Sequence, residues 1–231
     1  MEQTLQAAEL ADLDQWWADA FPRIREIVKQ YELASASIGR QYYDAIRSLD
    51  ISAPYTSILA DPAPDALYEV SFGVTGPTEL KKALGAGLDE AEAKARATVT
   101  LTGSADRIVG DAGRNTVRDN VKNDRTAVGW QRLSSTGDPC YFCAMLISRG
   151  PVYKSEGSAG KNSNDLFVGE EGQAKVHDHC HCFIEPFYVD TAQSPPVVDE
   201  YYKLYQEATK GKSGKAAINA FRRAYEARNK P

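Results

Sequence analysis

Apolar residues recur every three or four positions through the first fifty residues. Leu10, Leu13, Trp17, Phe21, Ile24, Val28 and Tyr31 fall on one helical face. Pro22 interrupts that stripe, so a kink or two abutting helices are expected there. A second stripe runs through Ile38, Tyr42, Ile46 and Leu49, and Ser52-Ala53-Pro54, Pro62 and Pro64 mark a connection. Gly76-Pro77-Thr78 reads as a helix start with Thr78 as its cap, followed by helix-forming Ala, Leu, Glu and Lys over 79–98. Thr102-Gly103-Ser104 breaks that run, and Ser104 caps a further helix with Ile108, Ala112, Thr116 and Val121 on its apolar face. Residues 1–124 therefore read as all-helical.

The period changes after Asp124. Residues 127–133 alternate as a strand does, and Gly137, Asp138 and Pro139 make a turn. A short helix is expected at 144–148, stopped by Gly150-Pro151, with a second short strand at Val152-Tyr153. Residues 154–175 are polar and rich in Gly, Ser and Asn, hence a loop, and 183–188 read as a closing strand. Ser194-Pro195-Pro196 reads as a linker before helices at 199–209 and 216–229. The fold class is mainly α: a helical domain at 1–124, a small α+β module at 125–190 and a helical tail at 191–231. No internal repeat is evident.

Composition narrows the class. The chain has 231 residues, of which 42% are hydrophobic and 26% charged, so it can build a real core. Collagen-like, integral membrane and fully disordered chains are excluded, and no apolar stretch is long enough to span a bilayer. The start, Met1-Glu2-Gln3-Thr4-Leu5, has no basic region and apolar run, so the chain is expected to work where it is made. A net charge of −5 argues against a surface that is one nucleic-acid footprint. The end is different, because Tyr201 to Pro231 holds eight basic residues against Glu207 and Glu226. That basic tail could touch DNA or an acidic partner, although solvated helix faces are the default.

Histidine and cysteine carry the sharpest signal. The chain has three His and four Cys, and all seven fall in two short clusters. Cys140 and Cys143 lie in Gly137-Asp138-Pro139-Cys140-Tyr141-Phe142-Cys143; the rest form His177-Asp178-His179-Cys180-His181-Cys182. A Cys-x-x-Cys turn offers two thiolates at the corners of a tetrahedron, and structural zinc closes with four sulfur or imidazole ligands. Alternation in an extended segment puts Cys180 and Cys182 on one side and His177 and His179 on the other. Two ligand sets follow: Cys140, Cys143, Cys180 and Cys182, or the first pair with His177 and one later cysteine. The bland alternative is buried free thiols and ordinary polar histidines.

Other chemistry fits less well. A Cys–His nucleophile pair needs a histidine without metal duty, and only His179 or His181 could be spare. An HNH-type nuclease lacks its downstream Asn and His. Lys210-Gly211-Lys212-Ser213 lacks the phosphate-loop glycine, because Gln206 stands there, and no apolar strand precedes it; a helix start capped by Ser213 is the better reading. Trp16, Trp17 and Trp130 read as core or interface anchors, as do Tyr201 and Tyr205; together with Tyr202 these tyrosines could otherwise stack on nucleobases.

Residues 129–133, 137–146 and 148–153, with His177, Cys180, Cys182 and Glu185-Pro186, resemble the MuF-like minor head proteins of tailed phages, in the branch found in actinobacterial phages and prophages. The family's His-x-x-Cys-x-Cys form lands on His177, Cys180 and Cys182, and its first cluster on Cys140 and Cys143. His181 departs from it, since a basic or small residue is more usual there. The resemblance implies a role in head morphogenesis inside the procapsid near the portal, with portal, major capsid and scaffold proteins as partners. It implies a virion location, with host cytoplasm during assembly and no membrane. Packaged DNA is a further expected partner through the basic tail. The branch often carries the label capsid maturation protease, but no Ser–His–Asp pattern or free histidine here supports it. The expected zinc is structural, held by Cys140, Cys143 and Cys180 with His177 or Cys182 as fourth ligand.

Overall fold

A computed structural model describes residues 5–6, 8, 10–150, 181–188 and 195–228. Its elements, in chain order, are α1 (Leu13–Asp50, preceded by a 3-10 turn at Leu10–Asp12), α2 (Asp65–Gly73), a π turn (Val74–Thr78), α3 (Glu79–Gly85) and α4 (Glu90–Asn123). They continue with β1 (Gly129–Ser134), α5 (Tyr141–Ile147), β2 (Cys182–Phe187), α6 (Pro196–Thr209) and α7 (Gly214–Arg228). The described residues are mainly helical, with one two-stranded sheet. The expected strand at Val152-Tyr153 and the loop at 154–175 lie outside the described residues.

The two longest helices run through breaks that the sequence pattern predicts. Residues 13–50 form one helix through Pro22, not two. Pro22 removes the bond to the Ala18 carbonyl, but both residues are exposed, so water can satisfy that oxygen. Asp12 caps the helix by accepting the Gln15 N–H at 3.3 Å. The buried stripe of α1 passes through Ile24, Val28, Glu32, Ala36, Gly39, Tyr43 and Arg47. Tyr31, Ile38 and Leu49, expected on the inner face, are 63%, 65% and 77% exposed. In a helix this long, two apolar stripes satisfy the same period, and packing selects the one with small residues at close approaches.

The break expected at Thr102-Gly103-Ser104 is absent, and Ser104 caps nothing: it is buried inside α4 with its hydroxyl unpartnered. Leu101, Ala105 and Ile108 bury on one face there, which outweighs the roughly 1 kcal/mol that Gly103 costs a helix. The real interruption is earlier. Gly87, at φ +88°, ends α3, and Asp89 with Glu92 forms a reciprocal capping box at the start of α4. Thr78 is likewise no cap; its backbone is helical and its side chain makes no cap bond. Gly76 sits in the π turn because a Cβ would press to 3.1 Å from the Trp17 ring.

The chain divides into two compact units. In the first, the described residues fall in the stretch ending at Gly39 and in Leu59–Asn115. Its core joins Ile24, Val28, Tyr68, Phe72, Leu80, Ala97, Leu101 and Ile108, with Trp16 and Trp17 half-buried against it. Buried Glu32 accepts from the Tyr68 hydroxyl and from the Ala63 N–H at 3.3 Å. A cavity of about 210 Å³ lies beside it, lined by Pro62, Leu67, Ile108 and Asn115 among others.

The second unit holds Arg40–Ile58 and the described residues from Thr116 onward. β1 and β2 pair antiparallel, with Trp130 opposite Pro186 and Ser134 opposite Cys182. Directly opposed residues share a face. Trp130 and Ile184 pack with Tyr43, Val117 and Val121. Leu133 packs with Met145, Ile147, Val198, Tyr201, Phe221 and Tyr225, with Phe183 against that cluster. Of the expected linker, Ser194 lies outside the described residues, Pro195 is the N-cap of α6, and Pro196 occupies its first turn, where the missing N–H costs nothing.

Candidate metal centre

The hairpin positions the first cysteine pair. β1 ends at Ser134, and an exposed turn leads to buried Pro139 and then Cys140. Ser135 donates its N–H (3.2 Å) and its hydroxyl (3.0 Å) to the His181 carbonyl, which fastens this turn to the entry of β2. Cys140 is the N-cap of α5, and its Sγ accepts the Cys143 N–H at 3.4 Å. The two thiols therefore share one helical turn, Cys140 exposed and Cys143 buried. Tyr225 of α7 donates its hydroxyl to the Pro139 carbonyl and lies 3.3 Å from Asp138 Oδ1, so the C-terminal helix grips the same turn. Nothing in the sequence marks Tyr225 for this task; it reads only as an apolar helix position.

Cys182 opens β2 opposite Ser134, and is buried. His181 is exposed and precedes it, so the alternation of the strand turns the two side chains apart. Cys140 and Cys143 thus follow β1 and Cys182 opens β2, and all three are free of disulfides. His177, His179 and Cys180 lie outside the described residues. Among the described residues, no three His, Cys, Asp or Glu side chains form a group able to hold a metal. The donor type is one zinc takes: Cys140 and Cys143 offer two sulfurs on one helical turn.

A second polar cluster, not foreseen from the sequence, supports the start of β1. Asp124 accepts from Tyr43 (2.9 Å) and Arg47 (2.6 Å) on one oxygen. Its other oxygen takes the Thr126 N–H (2.9 Å) and hydroxyl (2.6 Å). Burial pushes this carboxyl upward, but the bonds from Thr126, Arg47 and Tyr43 outweigh that and hold its pKa at about 2. Across the strands, Gln131 donates to Glu185 at 2.9 Å. Burial and then the Glu185 charge raise the Tyr42 phenol well above its ordinary value. Asp124 has partners on both oxygens, whereas the buried Gln131 Oε1 has no hydrogen-bond partner among the described residues.

The VG15 protein family matches residues 1–208, which is most of the chain. The chain belongs to the VG15 protein family. It is 30% identical over 233 aligned residues to the Gene 15 protein of Mycobacterium phage D29, covering 86% of this chain and 81% of that protein. It is 27% identical over 191 residues to the Gene 15 protein of Mycobacterium phage L5, covering 71% of this chain and 62% of that one. No solved structure matches the chain. Membership in VG15 identifies a phage protein. Among the described residues, no helix is long and apolar enough to cross a membrane.

Proposed function

We propose that this VG15 member is a MuF-like minor head protein acting in capsid morphogenesis, with a structural zinc ion in its cysteine module. The observation that carries the reading is membership in a family whose relatives are phage proteins, together with Cys140 and Cys143 set on one helical turn directly after β1. Cys180 and either His177 or Cys182 would complete the set around Cys140 and Cys143. Zinc there supplies cross-linking energy and no turnover. Zinc would add a cross-link to a two-stranded sheet and a seven-residue helix that pack on α6 and α7. Portal, major capsid or scaffold proteins are the partners this role requires.

The role is tested by interrupting the gene in its phage and imaging lysates by electron microscopy. Loss of DNA-filled heads with tails still assembled, and detection of the chain in proheads of the unaltered phage, are expected. Normal filled heads without the protein would overturn the reading.

A further inference from the structure

The α6–α7 hairpin distributes its charge unevenly. Arg222 donates to Glu226 at 2.7 Å and lies over the Tyr141 ring, 5.0 Å from its centroid. Arg228 donates to Glu200 at 2.6 Å and lies over Tyr201, 5.8 Å from its centroid. These two guanidiniums are engaged in packing the hairpin. Lys203, Lys210, Lys215 and Arg223 are exposed and make no ion pair among the described residues. Exposed Lys212 reaches only the Lys210 carbonyl, at 3.5 Å. Lys210, Lys212 and Lys215 crowd into the turn between the helices, where Gly211 and Gly214 take φ of +71° and +52°. Of the acidic residues on these helices, Asp199, Glu200 and Glu226 lie toward the opposite end, and only Glu207 is near the turn.

We propose that this turn is a contact surface for the phosphate backbone of duplex DNA, with Lys210, Lys212 and Lys215 at its centre and Lys203 and Arg223 further back along α6 and α7. The chemistry separates DNA from an acidic protein. A protein partner needs a desolvated apolar anchor at the centre of its interface, and this tip offers only Gly, Ser and Lys. Phosphate neutralisation needs only mobile cations within reach, and lysine on a solvated turn supplies them without reading sequence. The sequence alone counts eight basic residues in the tail; the structure withdraws Arg222 and Arg228 from that footprint.

Fluorescence anisotropy of the full chain with a labelled random-sequence duplex tests this, in about 50 to about 200 mM KCl. The log affinity should fall against log salt with a slope of about −3 to −4, the value for roughly four phosphates. The double variant Lys212→Glu/Lys215→Glu should bind about tenfold or more weakly at the low salt, with an unchanged circular dichroism spectrum. Lys81→Glu/Lys82→Glu makes the same change in net charge elsewhere and should shift affinity by no more than about twofold. An equal loss in both variants overturns the proposal, as does absence of duplex binding by the unaltered chain. Tighter binding to a polyglutamate peptide than to duplex overturns it in favour of an acidic protein partner.

Discussion

Two buried polar side chains fasten irregular backbone to the helices of the second unit. Asn120, fully buried, donates to the carbonyls of Ile58 and Thr116, both at 2.8 Å. It also accepts the Ile58 N–H at 2.9 Å and the Tyr55 hydroxyl at 3.1 Å. Asn120→Ala removes all four bonds and leaves buried backbone groups unpaired, so urea unfolding should show a loss of about 2–4 kcal/mol. Asp124 gives a pH signature. Its folded pKa of about 2 lies below the ordinary carboxylate value, so its contribution is complete above about pH 4. That contribution, about 2 kcal/mol, is lost as pH falls from about 4 through 2. Stability measured by denaturant across that window should decline, and Asp124→Asn should flatten the slope while lowering stability at neutral pH. Neither residue could be singled out from the sequence, because a buried Asn or Asp differs from a solvated one only by the distant backbone that folding brings to it.

At the scale of elements, the strands were legible and the helix ends were not. Alternation around Trp130 and Ile184 locates β1 and β2 within two residues, because each face meets a different core. The helices at 199–209 and 216–229 emerge with small shifts for the same reason. Missed were α2, for which no periodic stripe was assigned after Pro64, and the unbroken runs through Pro22 and Gly103. In each case tertiary burial overrides a local breaker, a fact no single window of sequence contains. Asp89-x-x-Glu92 was a readable start signal that the Ala-rich run obscured. Glycine usage tests the packing directly. A Cβ on Gly39 would lie 2.6 Å from the Gly113 carbonyl oxygen, at the close approach of α1 and α4. Gly39→Ala should cost about 1–3 kcal/mol in thermal or urea unfolding. Gly73 is helical with open space around its missing Cβ, so Gly73→Ala should stabilise by about 0.5–1 kcal/mol.

For the whole molecule, the proposed zinc would tie the cysteine turn to the two-stranded sheet of a phage-family chain. The clustering of every His and Cys in two segments made the candidate centre legible, and folding sets Cys140 and Cys143 on one helical turn after β1 and Cys182 at the start of β2. What the sequence could not convey is that α7 grips the cysteine turn through Tyr225, so the basic tail is also part of the module's scaffold. The most direct measurement is elemental analysis of the chain purified without chelator, paired with titration of its thiols by a mercurial and repeated on Cys140→Ser. The account predicts about one zinc per chain, released only as the cysteines react, and lost in the variant. A metal-free chain with a single unusually reactive thiol, or a Cys140→Ser variant that keeps its zinc, would contradict it.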